Sequence, residues 1–296
     1  MLVLSAKPRI SLTNIVVATD FSAASESALD HAVAIARHYN SKILLIHAIK
    51  STPDSQSWDE ARIRGADELL THAEQKLCAE AEKHPDVECQ RFLLTGTALE
   101  VVEHILSLDH IDLIVVGTHG TKGVRKLMMG SVAEQIFHHV RCPVLVAGPS
   151  LREEKTTWGP KRILLPTDLQ SDESQTVEYA TALAREHDAR LDLLHVTIPS
   201  RAPFLEDSEF TIAPYFQSRL RGLISNRPGL DHPAEVWVEF GDDPVIGILK
   251  VAKQRAIDLI VLSVRPREPW TSHFAHKAHR IVAEAPCPVL VVQRRF

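Results

Sequence analysis

Three glycines and a serine stand at a spacing that suits phosphate chemistry: Gly117, two residues, Gly120, nine residues, then Gly130-Ser131. Glycine lets a backbone approach a ligand closely and adopt conformations closed to other residues. Gly130-Ser131 opens a predicted helix, where unpaired N–H groups and the positive end of the helix dipole attract an anion. The Ser131 hydroxyl adds a donor, and Lys122, Arg125 and Lys126 in the intervening loop could neutralise phosphate charge. His119 lies between the first two glycines, where it could approach phosphates or stand as an exposed turn histidine. A second group with chemistry is Asp20, at the end of an apolar run. Its carboxylate could accept ribose hydroxyls or help hold a cation shared with phosphates, or it could cap the helix that follows.

The surrounding pattern places these residues. Ile114, Val115 and Val116 form a short β-branched run ending at Gly117, as expected of a parallel strand covered on both faces. Strands are predicted at Ile15 to Thr19, Lys42 to Ile49, Val87 to Leu94, Leu113 to Val116 and Pro143 to Ala147. Between them, helices are predicted near Ser25 to His38, capped by Ser22, and at Trp58 to Lys83, Ala98 to Leu108 and Ser131 to Val140. This alternation implies a parallel sheet with helices on both faces. Ligands of such sheets lie beyond the carboxyl ends of the strands, where the strand order reverses. If the first and fourth strands flank that point, Asp20 faces Gly117.

The pattern then repeats. NIVVATD ending at Asp20 returns as RILLPTD ending at Asp168, ILLIHAI as LDLLHVTI with His195 for His47, IDLIVV as IDLIVL, and CPVLV in full at Cys287. All four matches keep their order at a separation of 145 to 148 residues. A duplicated domain of about 140 residues follows. The boundaries expected are a first domain over 1–148, a linker over 149–161 containing Pro149, Gly159 and Pro160, and a second domain over 162–296.

Composition narrows the class. With 45% hydrophobic and 24% charged residues, each half can bury its own core. A net charge of −5 without a long basic run argues against a nucleic-acid partner. MLVLSAKPRI has too short an apolar run for a secretory signal, and no stretch approaches the roughly 18 apolar residues of a membrane span, so a cytoplasmic location is expected. The four cysteines show no CxxC and no framework spacing, which suits reduced structural thiols. The G-x-x-x-x-G-K-[ST], G-x-S-x-G and H-E-x-x-H motifs are all missing, and no dedicated catalytic base stands out.

The ATD of Ala18 to Asp20, the LIHAI ending the second strand, VVGTHG, the Gly130-Ser131 pair and CPVLV resemble the universal stress protein family. The Gly-x2-Gly-x9-Gly-Ser spacing resembles its ATP-binding subtype, and the resemblance covers both halves. It implies two Rossmann-like, doubly wound α/β domains, each a five-stranded parallel sheet in the order 3-2-1-4-5, paired through their fifth strands. It implies ATP, with Mg²⁺, as the ligand of the first domain. Carried over position by position, Asp20 would meet the ribose and the backbone around Ala48 the adenine edge, with Ala18 and Thr19 also counted among the ATP-binding residues. Val116 and Gly117 would line the nucleoside. His119, Gly120, Gly130, Ser131 and Val132 would lie along the phosphates. No catalytic or metal-ligating residue is implied. The partners expected are the adenine nucleotide, the other domain of the chain, a second copy of the chain and a protein the sequence does not name.

The second copy departs at every phosphate position: Ser263 replaces Gly117, Pro266 replaces Gly120, and Ala275-His276 replaces Gly130-Ser131. Proline removes a donor, so one nucleotide per chain is expected. His273, His276 and His279 recur every third residue and read as a solvated helix face rather than a zinc site. Phe204, Phe210, Tyr215 and Phe216 stand where the first copy has a polar loop, packing over the sheet or lining an apolar pocket. Three functions remain open on the sequence: a nucleotide-responsive stress protein with slow or no hydrolysis, a slow ATPase or phosphotransferase using His119 or Asp20, and a scaffold acting through the second domain.

Overall fold

The computed structural model describes residues 10–49, 60–118, 135–136, 139–148, 157–169, 174–197, 209–225, 230, 232–264 and 273–293. They fall into two compact units, Leu12–Trp158 and Gly159–Phe296.

In the first unit the β-branched runs form β1 (Asn14–Ala18), β2 (Lys42–Ile49), β3 (Cys89–Thr95), β4 (Leu113–Gly117) and β5 (Val144–Ala147). Between them lie α1 (Ala23–Tyr39), α2 (Glu60–Glu82) and α3 (Ala98–Leu108). The strands are parallel and ordered β3-β2-β1-β4-β5, as the resemblance implied. Ile15, Val16, Val17, Ile114 and Val115 are fully buried, because the two central strands are covered on both faces. The predicted apolar positions of α1, Ala28, Ala32, Ile35 and Ala36, are all buried. Ser22 caps this helix as expected, accepting from the Ser25 N–H, and Asn40 ends it in the left-handed conformation. The helix predicted over Ser131 to Val140 lies mostly outside the described residues, although Ile136 and Val140 are buried.

The second unit repeats the plan with β6 (Arg162–Pro166), α4 (Ser174–Glu186), β7 (Arg190–Thr197), α5 (Glu209–Ile224), β8 (Glu235–Phe240), α6 (Pro244–Gln254), β9 (Leu259–Val264), α7 (His273–Glu284) and β10 (Val289–Gln293). Its strands are parallel in the order β10-β9-β6-β7-β8. The aromatic stretch is partly helical: α5 carries Tyr215 and Phe216 and takes Pro214 inside it. Among the described residues, no three His, Cys, Asp or Glu side chains gather as a metal site, and His276 on α7 is exposed.

Two repeated acidic residues hold the strand starts together. Asp112, just before β4, accepts from the N–H groups of Thr13 and Asn14 at 2.7 and 3.0 Å. Asp258, just before β9, accepts in the same way from Lys161 and Arg162 at 2.8 and 3.1 Å. The repeated Ile-Asp-Leu-Ile-Val thus carries a strand and the clasp that sets its neighbour's start. No disulfide joins the four cysteines, and burial pushes the Cys142 thiol up to about 12.

Candidate functional site

Beyond Ala18 the chain leaves β1 through a turn built by one hydroxyl. Thr19 Oγ accepts from the Phe21 N–H at 3.0 Å and donates to Ser25 Oγ at 3.0 Å. This holds Phe21 at φ 60°, a left-handed conformation that costs a bulky residue about 1–2 kcal/mol. The turn brings the exposed Asp20 to the mouth of the sheet. Asp20 does not cap α1, since Ser22 does. Its Oδ1 accepts instead from the Ser22 N–H at 3.1 Å, which fixes the direction of the carboxylate.

His47 was not among the residues singled out by the sequence for binding, yet it shapes the site. Its Nδ1 lies 2.7 Å from the Thr19 carbonyl oxygen. A carbonyl can only accept, so Nδ1 carries the proton. The His47 ring tilts against the Phe21 ring at 4.4 Å between centroids, and Lys76 Nζ from α2 stands 5.4 Å over the Phe21 face.

That bond has a consequence for Ala48. In a parallel ladder successive residues turn their main-chain groups to alternate neighbours. Ile46 faces β1, since its carbonyl accepts from Thr19, whereas Ile49 faces β3, since its carbonyl accepts from Gly96. Ala48 therefore faces the space where β1 has already ended. The carbonyl that a continuing ladder would offer it, that of Thr19, is taken by His47. Among the described residues no main-chain bond from Thr19 or Phe21 reaches Ala48 to continue the ladder. One donor and one acceptor thus point together into the crevice.

Gly117 ends β4 beside them, because β4 pairs with β1 on the side opposite β2. A Cβ at Gly117 would lie 2.6 Å from the Ala24 carbonyl carbon and oxygen. The glycine is thus required by the close approach of α1, whatever else binds there. Val116 is a core side chain at 2% exposure, so only its main chain can reach the crevice. Thr118, buried and donating through its N–H to the Ala147 carbonyl at 3.1 Å, continues the pairing one residue past the strand. The structure thus brings Ala18, Thr19, Asp20, Ala48 and Gly117 to the carboxyl ends of β1, β2 and β4. His119, Gly120, Gly130, Ser131 and Val132 lie outside the described residues.

The second unit reproduces the turn. Thr167 Oγ accepts from the Leu169 N–H at 3.0 Å, Leu169 has φ 58°, and His195 Nδ1 donates to the Thr167 carbonyl at 2.9 Å. Burial pulls the His195 pKa below its ordinary value, against the opposing pull of the Thr167 carbonyl and Asp168. The surroundings differ. Phe216 of α5 tilts against His195 at 4.4 Å, and Arg219 donates to the Leu169 carbonyl at 2.5 Å. Ser263 replaces Gly117 and is buried.

Parallel strands in this order, reversing between β1 and β4 and again between β6 and β9, define a tandem of Rossmann-like, doubly wound domains. The universal stress protein family matches residues 12–148 and again 159–293, and the chain belongs to that family. A universal stress protein of Methanocaldococcus jannaschii is 29% identical over 142 residues, covering 47% of this chain and 84% of its own. A solved universal stress protein from Archaeoglobus fulgidus shares the fold over 95% of this chain and 98% of its own, with a TM-score of 0.69 at 18% identity. A further solved universal stress protein, in complex with cAMP, matches 47% of this chain and 100% of its own at 17% identity and a TM-score of 0.35. No helix among the described residues is long and apolar enough to cross a membrane.

Proposed function

We propose that the first unit, taken as a domain over 1–148, binds ATP with Mg²⁺, and that the chain is a cytoplasmic, nucleotide-responsive stress protein in which hydrolysis is slow or absent. The observation that carries this reading is the paired N–H and C=O of Ala48, facing the crevice beside Asp20 and Gly117. One donor and one acceptor on a single residue complement the Watson–Crick edge of adenine, whose amino group donates and whose ring nitrogen accepts. Asp20, held by Ser22, would accept ribose hydroxyls. Gly120, Gly130, Ser131 and Val132 would hold the phosphates through main-chain N–H groups and the serine hydroxyl. Mg²⁺ would supply charge neutralisation between phosphate oxygens. Occupancy of the crevice would change the surface around Asp20 and so the affinity for a protein partner.

Calorimetric titration of the whole chain with Mg²⁺ and ATP tests this, with GTP as the control for the base. Binding near one ATP per chain is expected, and it should be abolished by the double substitution Gly130→Val, Ser131→Ala. No heat and no thermal shift at millimolar ATP would overturn the proposal.

A further inference from the structure

The helices that follow the second strand of each unit, α2 and α5, are anchored alike in their rear halves. Leu77 and Leu220 are buried little more than one turn before the helix ends at Glu82 and Ile224. The residue before each leucine is a cation that reaches the turn presenting the aspartate: Lys76 stands over the Phe21 ring, and Arg219 donates to the Leu169 carbonyl. These pairs set the register, which matches Ala73 with Phe216 and Leu69 with Ile212.

The leading halves differ. Ile212, Phe216 and Leu220 recur every fourth residue, a spacing that keeps them on one helix face. Ile212 is fully buried and Phe216 packs on the His195 ring, so α5 is seated along the whole stripe. In α2 the same stripe is Leu69, Ala73 and Leu77, and the His47 ring is covered instead by Phe21 from the turn. Ala73 is buried, yet Leu69 is 64% exposed. Every residue from Asp67 to His72 is exposed.

The position of these turns gives that difference a use. α2 joins two parallel strands and therefore runs back from their carboxyl ends. Lys76 lies level with the turn at that end, and the seven residues from there to Leu69 span about 10 Å of helix. The turns around Leu69 thus overhang the mouth of the first crevice. A leucine left exposed on a core-facing stripe gains from any apolar surface brought beneath it. A base seated against Ala48 would supply one, and Asp67 and Glu68 beside Leu69 suit an uncharged ring better than phosphates.

We propose that the leading turns of α2 are a lid on the first crevice, which closes over the base of a bound nucleotide and seats Leu69 as Ile212 is seated in the second unit. Ala73 is the pivot, because it places no bulky side chain under the helix. Phe216 removes that freedom from α5. This rests on the reading of the first crevice as an ATP site.

Alkylation of the thiol introduced by Leu69→Cys, read peptide by peptide in the whole chain with and without saturating ATP and Mg²⁺, tests the lid. Leu108→Cys is the control, because Leu108 is equally exposed and ends α3 beside the amino ends of the strands. ATP should slow alkylation at position 69 about fivefold or more and leave position 108 unchanged. Leu69→Asp should still take one ATP per chain in calorimetry, with Kd raised about fivefold or more. Equal alkylation at position 69 with and without bound ATP overturns the lid and leaves the ATP site standing, as does an unchanged Kd in Leu69→Asp. Equal slowing at both positions shows a general tightening and overturns the lid as well. Absence of ATP binding by the unmodified chain overturns the proposed function and the lid with it.

Discussion

At the ends of β1 and β6 the chain makes the same turn: a threonine hydroxyl receives the N–H two residues on, the intervening aspartate is presented, and a non-glycine residue sits left-handed. A histidine from the neighbouring strand closes each turn on the threonine carbonyl. The second unit keeps this device although it has lost the glycines of the phosphate pattern. The turn therefore belongs to the fold, which uses it to end a central strand early and leave a neighbour's main-chain groups unpaired. Gly117 belongs to the fold as well, since α1 requires it for packing.

The units also differ inside their sheets. Leu44 on β2 is buried among apolar neighbours, whereas the matching residue of β7 is Asp192, equally buried. Arg255 donates from Nε to Asp192 at 2.7 Å and from Nη2 to Glu235 at 2.6 Å, and its guanidinium lies 3.7 Å over the Trp237 ring. Arg255→Met should therefore have the largest effect, destabilising the second unit by about 3–5 kcal/mol because it strands a buried carboxylate. Adding Asp192→Leu, the residue of the first unit, should recover most of that loss. Urea denaturation followed by hydrogen exchange on β7 peptides reads both, and a neutral single variant would show that the cluster is not needed.

Gly117→Val comes next. Its Cβ would collide with the Ala24 carbonyl, so a loss of about 1–3 kcal/mol is expected in the first unit, together with loss of ATP binding. Ser263→Gly should be far milder. Equal effects at the two positions would break the contrast drawn between the two strand ends.

The helix caps sharpen the comparison on a smaller scale. Thr97 and Asp243 occupy matching positions before α3 and α6. Thr97 forms a reciprocal capping box with Glu100, whereas Asp243 caps through Val245 and is held below the usual carboxylate range by Arg280. Thr97→Ala should cost about 1 kcal/mol in thermal or urea unfolding. Asp243→Asn keeps the cap and loses only the ion pair, so it should cost a few tenths of a kcal/mol, about what a partly exposed pair contributes.

The smallest effect is a pH dependence of the second unit. Burial favours neutral His195 in the folded state, so the unfolded chain binds the proton more readily. Stability should then be complete above the unfolded histidine value of about 6.5 and fall as the pH drops through it. His195→Gln should remove the part of the acid sensitivity confined to β6 and β7. If hydrogen exchange there shows no change between pH 7.5 and 5.5, the assignment fails.

Much of the frame was legible in the chain itself. β-Branched runs marked the strands and Ser22 marked the start of α1. Four motifs recurring in the same order marked two copies, because period, capping and duplication are all local or self-referential signals. Boundaries were less legible: β3 begins at Cys89 rather than Val87. Pro214 and the surrounding aromatics hid α5, where tertiary packing overrides a poor helix interior. Asp20 and Gly117 stood out by residue type and position. His47 repeats as His195, yet nothing in its neighbours says that its ring returns to Thr19.

By itself the sequence determined the order of elements, their duplication and which crevice keeps the glycines, since these depend on residue type and spacing along one chain. Only the tertiary structure decided that Ser22 rather than Asp20 caps α1, that Gly117 yields to a helix, and that Ala48 faces the space beyond the end of β1. Each of these depends on which atom of one strand or helix reaches another across the sheet. That choice is settled by register and packing between residues distant in the chain, and local pattern does not encode it.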